Sequence, residues 1–209
     1  IRTMIITHHG GACVKLSAGE TTITFNPPSK SSKQFSAVKF GADVAFVSVW
    51  HPDCNGVEGL ARGSASPFLV SGPGAYEIGE VTVHGFGVPT TYDGVQRFNT
   101  VYQLNFGGAN IVNLGILDND ELDANVLSSL GDVDILFLPI GGGDVLDAVA
   151  AAKLAVKLEA RLIIPVYYDS GALDAFVKEM GTDVTAEDKI TVKAKDIATM
   201  EGVVRVLRS

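Results

Sequence analysis

Cysteine is scarce, with only Cys13 and Cys54 among 209 residues. The two lie far apart in a chain with no secretory leader, so the sequence reads as that of a protein kept in a reducing cytoplasm. Basic residues are few as well. Sixteen Lys and Arg stand against 24 Asp and Glu, a formal net charge of −8. That balance argues against a phosphate-backbone partner, which selects for a basic face. Long apolar runs are missing: none reaches the roughly 18 residues that a membrane span requires. No heptad or collagen-like period occurs, and a 46% hydrophobic content excludes disorder. Neither a nucleophile-elbow pattern nor a Cys-x-x-Cys pair is present.

What is there suits one domain over residues 1–209, built as two βα halves at roughly 1–105 and 106–209. Ile1-Arg2-Thr3 reads as an extension ahead of a native start at Met4. Short strand-like runs come first, at Met4–Thr7, Val14–Leu16 and Thr21–Phe25, divided by Gly10-Gly11 and Ala18-Gly19. Asn26-Pro27-Pro28 ends that meander, and residues 29–36 read as a polar surface loop. Asp43–Val49 is nearly all apolar, as a strand covered on both faces requires. Further strands are expected at Pro67–Val70, Tyr76–Ile78, Glu80–His84, Thr100–Phe106 and Ile111–Leu114. Asp134–Ile140 and Arg161–Tyr168 read as two more buried strands. Helices are expected at Glu121–Leu130, at Asp144–Ala160 with Asp144 as its N-cap, and at Leu173–Met180. Lys189–Val192 and Val203–Leu207 close a sheet. Meanders preceding strand–helix units predict an α/β chain layered as an αββα sandwich.

Chemistry concentrates after the first buried strand, in His51-Pro52-Asp53-Cys54. Loops at that end of a strand commonly carry function. Imidazole, carboxylate and thiolate are all zinc ligands. The residues leave three readings open: a metal site of His51, Asp53 and Cys54, a metal-free ligand pocket, or a loop structured by an Asx-type turn at Asp53. Gly141-Gly142-Gly143-Asp144 offers backbone N–H groups for an anion, but it lacks a Lys, and a tight turn is the simpler reading. His8 and His9 suit a hydrogen-bonded strand end, His84 a structural role, and Cys13 a small buried side chain.

The order of motifs along the chain resembles the metallo-β-lactamase superfamily, most closely its lactonase-like zinc-dependent hydrolases. The likeness runs through Ile6-Thr7-His8-His9-Gly10, the Asn26-Pro27 strand exit and Gly72-Pro73-Gly74-Ala75-Tyr76-Glu77-Ile78. It continues through Asn99-Thr100-Val101-Tyr102, Leu114-Gly115, Leu130-Gly131-Asp132-Val133-Asp134, Leu138-Pro139-Ile140-Gly141-Gly142 and Ile164-Pro165.

That resemblance implies a His-x-His-x-Asp-His signature after the buried strand, and here it falls on Val49, His51, Asp53 and Cys54. It places a further His at Tyr92, the bridging Asp at Ile116 and the last His at Tyr167. It also puts His9 near the cleft, and Asn26 stands where an acidic residue precedes the proline. Only His51 and Asp53 keep their ligand identity. A catalytic zinc generally takes three protein ligands, and Ile116 has no lone pair to give. Tyr92 and Tyr167 are expected to fill the cavity with rings and hydroxyls. The implied protein is therefore a metallo-β-lactamase-fold binding or interaction module without a cofactor, with a residual pocket of His9, His51, Asp53, Cys54, Tyr92, Asp118 and Tyr167. Its partner would be a small molecule or a protein, and family habit leaves self-association open. The alternative is a hydrolase of lactones, esters or phosphodiesters. It would use one zinc or manganese on His51, Asp53 and Cys54, with Asp118 or His9 assisting.

Overall fold

The computed structural model describes residues 2–209, and Ile1, the first residue of the expected extension, lies outside them. Alternating apolar residues in the first half build strands β1 (Thr3–His8), β2 (Val14–Ala18) and β3 (Thr21–Phe25). They are followed by β4 (Val44–Phe46), β5 (Phe68–Val70), β6 (Gly74–Ile78), β7 (Val81–Tyr92), β8 (Val95–Phe106) and β9 (Ala109–Asn113). The second half supplies α1 (Ala124–Leu130), β10 (Ile135–Pro139), α2 (Ala148–Lys157), β11 (Leu162–Val166) and α3 (Ser170–Glu179). The chain closes with β12 (Ile190–Lys193), α4 (Ala194–Ile197) and β13 (Val203–Val204).

Two mixed sheets face each other, one in the order β12-β1-β2-β3-β4-β5 and the other β13-β11-β10-β9-β8-β7-β6. Their facing sides hold a core that includes Phe25, Phe46, Tyr102, Phe137 and Ile164. The outer face of the second sheet is covered by helices, with Leu136, Leu138 and Ile163 against Ala151, Leu154 and Phe176. The outer face of the first is covered mainly by coil, where Cys13 and Ala45 meet Val38, Ala42 and Leu60. This is the expected sandwich, with loops doing part of the work of one helical layer. Among the described residues no helix is long and apolar enough to cross a membrane.

Three departures from the sequence reading bear on function. First, β7 and β8 run twelve residues each, far longer than Glu80–His84 and Thr100–Phe106. The extension runs through Gly85, Gly87 and Pro89, residues that weaken a strand interior. Gly85 instead marks a close approach, since a Cβ would sit 3.0 Å from Gly72 O. The hairpin turns on Asp93 and Gly94, both at positive φ (52° and 67°), the backbone of a two-residue I′ turn. Second, β4 stops at Phe46, and Val47–Val49 crosses between the sheets. Val47 N donates to Val70 O, while Val47 O accepts from Tyr102 and Ser48 O from Thr100 N. Third, Asp144 does not cap α2. Val145 and Leu146 first turn into the core, and Asp147 then caps by accepting from Ala150 N at 2.9 Å.

Smaller differences have local causes. α1 starts only after its cap Asp123, and α3 starts three residues early on the cap Asp169, despite Gly171 in its first turn. β13 is just two residues long, and the single turn of α4 had no sequence signal.

Candidate functional site

Four segments meet at one end of the sandwich: the 48–56 loop, the β7–β8 hairpin tip, the exit from β9 and the exit from β11. The first is laced to residues 26–32 by Ser29 N to Pro52 O (2.8 Å), Gly56 N to Pro27 O (2.6 Å) and Ser48 N to Asn26 Oδ1 (2.8 Å). Gly56 is required there, because a Cβ would lie 2.2 Å from Pro28 O. Asn99 fixes the β9 exit by donating to Leu114 O and accepting from Ile116 N, both at 2.9 Å. Tyr167 is held at positive φ (51°), with its N–H on Gly11 O at 2.8 Å.

At the centre is Asp53, whose carboxylate is nearly sealed from water (2% exposed). It accepts from Ser32 Oγ at 2.5 Å and from Tyr92 Oη at 2.8 Å. Tyr92 has one proton and gives it to that carboxylate, so Tyr167 Oη donates to the Tyr92 oxygen, 2.8 Å away. Gln34 lies 3.3 Å beyond Tyr167. His51 flanks the chain, with Nδ1 3.4 Å from Asp53 and Nε2 3.5 Å from Asp93. Its ring meets Tyr92 edge-on at 5.0 Å. Charge-assisted hydrogen bonds of this kind are what keep a buried carboxylate tolerable.

The remaining space is apolar. Ile116, fully buried, packs with Val49, Cys54, Tyr92, Val145 and Ala12, and Tyr167 closes the cluster. Burial pushes the Cys54 thiol far above its ordinary range, so it is a neutral thiol in this cluster. Burial likewise raises Tyr92, helped by its bonds to Tyr167 and Asp53, and pushes Tyr167 up to about 12. Both phenols are neutral donors at neutral pH.

The fold thus gathers all seven positions where the resemblance implies ligands, but only His51 and Asp53 keep the residue types implied there. Among the described residues no group of three or more His, Cys, Asp and Glu side chains is disposed to hold a metal ion. The donor set does not fit the zinc centre that the fold implies.

Residues 5–167 match the model of the beta-lactamase superfamily domain. The chain belongs to the beta-lactamase superfamily. Among curated relatives of the superfamily member, a UPF0173 metal-dependent hydrolase of Natranaerobius thermophilus is 25% identical over 191 residues, covering 78% of this chain and 83% of the relative. One from Listeria innocua is 26% identical, with coverages of 80% and 86%. Among solved structures, a proposed Zn-dependent hydrolase of the metallo-beta-lactamase superfamily from Thermotoga maritima superposes with a TM-score of 0.76. That pair is 24% identical and covers 98% of each chain.

Other expected residues sit apart from the centre. His9 bonds Thr7 Oγ1 at 2.9 Å and packs on Phe40, and burial lowers it to about 4. Asp118 accepts from Thr91 N at 2.8 Å and lines a separate cavity. Asp53 makes no Asx turn, because its carboxylate turns inward; Asn55 N bonds His51 O instead. His51 does order the loop, accepting from Asp53 N at 3.2 Å. Gly141–Gly143 is a turn closed by Gly142 N on Leu146 O, so that N–H is not free for an anion, and Asp147, the α2 cap, lies beside Gly142. His8 is buried with Nε2 on Gly11 O, His84 bonds Gln103, and Cys13 is fully buried.

Ser32, Gln34 and Phe35 were missed. Residues 29–36 read as a polar surface loop, yet they lie over the centre. Phe35 meets Tyr167 edge-on at 5.4 Å and presses on Gly11, where a Cβ would come within 2.8 Å of its ring. No short-range signal marks them, since their partners lie far off in the chain.

Proposed function

We propose that this member of the beta-lactamase superfamily works without a metal, as a binding or interaction module on the metallo-β-lactamase fold. The observation that carries the reading is Ile116. Its side chain stands at the bridging-carboxylate position, wholly buried in a cluster with Val49, Cys54, Tyr92 and Tyr167. Losing one ligand by chance would leave buried donors without counter-charge, a costly arrangement. Here the neighbouring Asp53 is instead supplied by Ser32 and Tyr92, so the exchange is coordinated. The partner in this reading is a small molecule or a protein in the cytoplasm, with nucleic acid disfavoured by the net charge of −8.

A second reading has its own support. The curated relatives are named metal-dependent hydrolases, and His51 and Asp53 remain side by side. It requires Cys54 to serve as the third ligand by giving up its proton, with Asp118 or His9 assisting.

Metal analysis separates the two. Untagged protein purified with zinc or manganese supplied should hold less than about one-tenth of an equivalent, since two donors fall short of an ordinary site. A stoichiometric ion that disappears in His51→Ala would overturn the metal-free reading and favour the hydrolase instead.

A further inference from the structure

Six arginines occur in the chain, and five of them pair with carboxylates: Arg2, Arg62, Arg161, Arg205 and Arg208. Arg97 alone, among the described residues, has no acidic partner. It is half-buried, and its Nε donates to Tyr92 O at 3.3 Å. That bond fixes the guanidinium from behind and leaves both terminal nitrogens as an open fork. The fork lines a cavity of about 430 Å³, and the next residue, Phe98, lines it too. Phe98 is 75% exposed, the most exposed large hydrophobic side chain among the described residues. Pro89 sits opposite it in the hairpin register and extends the apolar wall. The amides of Gln96 and Asn119 complete the polar rim.

We infer that this cavity binds a small monoanion, a flat apolar body carrying a single carboxylate. The inference rests on the binding-module reading above and names the ligand class. A planar fork matches a carboxylate through two parallel hydrogen bonds. An exposed aromatic face adds stacking for a flat body. Asp118 lies in the same lining, bonded to Thr91 N and Asn119 Nδ2, and its repulsion grows with the charge of a bound anion. One cation beside one carboxylate disfavours a phosphate dianion. A larger cavity of about 820 Å³ has no such feature, because its arginine, Arg161, is engaged by Asp134 at 2.7 Å.

Isothermal titration of the full chain with benzoate is the test, beside acetate, benzamide and inorganic phosphate. Benzoate should saturate one site, with each comparator weaker by about tenfold or more. Arg97→Gln should weaken benzoate by at least about tenfold and Arg97→Lys by less, since Lys keeps charge but not the fork. Phe98→Ala should weaken it by roughly threefold to tenfold. Because Phe98 is exposed, this last variant keeps the test decisive if Arg97→Gln melts early. Absence of saturable benzoate binding, phosphate binding more tightly, or benzoate affinity indifferent to a folded Arg97 or Phe98 variant would each overturn the inference. Zinc content of the same samples keeps the claims apart. Stoichiometric metal would overturn the binding-module reading of the cleft while leaving an Arg97-dependent benzoate site in place. Benzoate indifferent to these residues removes the ligand while leaving the metal result intact.

Discussion

Tyr92 places its hydroxyl 2.8 Å from the Asp53 carboxylate, across 39 residues of chain. The same oxygen takes the hydroxyl of Tyr167 at 2.8 Å. A phenol pair with a buried acid thus forms a directional chain of proton donors.

Tyr92→Phe removes the donor to Asp53 and the acceptor of Tyr167 together. It should cost about 2–3 kcal/mol in urea unfolding, since a buried charged acceptor loses a partner. Tyr167→Phe, at a half-buried ring, should cost about 1 kcal/mol. The double variant should be less damaged than the sum, with a coupling of about 0.5 kcal/mol or more.

Ile116→Val should cost only about 0.5–1.5 kcal/mol. Ile116→Asp puts an unpaired carboxylate among Val49, Cys54 and Val145 and should cost about 3–5 kcal/mol. Zinc added to the Asp variant should leave the melting temperature unchanged. Recovery of stability with zinc would mean that the cleft still assembles a metal site.

Much of this was legible in the sequence, because it depends on identity and order. The β1–β3 meander, the buried strands β10 and β11 and the substitution of Ile116 all follow from local pattern or motif alignment. The long β7–β8 hairpin was not, because Gly85, Gly87 and Pro89 weaken a strand locally while the pairing of Val88, Val101 and Tyr102 across the sheet outweighs them. The Ser32–Asp53 bond was hidden for a related reason, since it joins two loops 21 residues apart. The N-cap shifted from Asp144 to Asp147 because burying Val145 and Leu146 delays the helix by about one turn.

Stability should fall at both ends of the pH scale. His9 is lowered from 6.5 to about 4, chiefly by burial and then by Lys15. Between those values the unfolded chain binds a proton that the folded one does not, so stability drops as pH falls from 6.5 towards 4. His9→Gln should flatten that slope. Tyr167 is raised from 10 to about 12, chiefly by burial. Its contribution is complete below pH 10 and declines as pH rises to 12, and Tyr167→Phe should lessen the alkaline decline, the rest coming from Tyr92 and Tyr102, which burial also raises. Urea midpoints measured across pH 4–12 test both.

Gly115→Ala should cost about 3 kcal/mol. Its backbone sits at φ +65°, and a Cβ would lie 2.3 Å from Asn99 Oδ1 and 2.6 Å from Ser48. Guanidinium melts should show the lower midpoint with an unchanged slope, since the unfolded surface is the same.

The crossing of Val47–Val49 has a mechanical consequence. Its main chain is tied on one side to the edge strand β5 through Val70 and on the other to β8 through Tyr102 and Thr100. Sliding or parting the layers would break those ties. Residues 29–36 lie over Asp53 and are tied down by Ser29 N on Pro52 O, by Ser32 on Asp53 and by the Phe35 ring against Tyr167 and Gly11, so shifting that loop is one way to bare the acid.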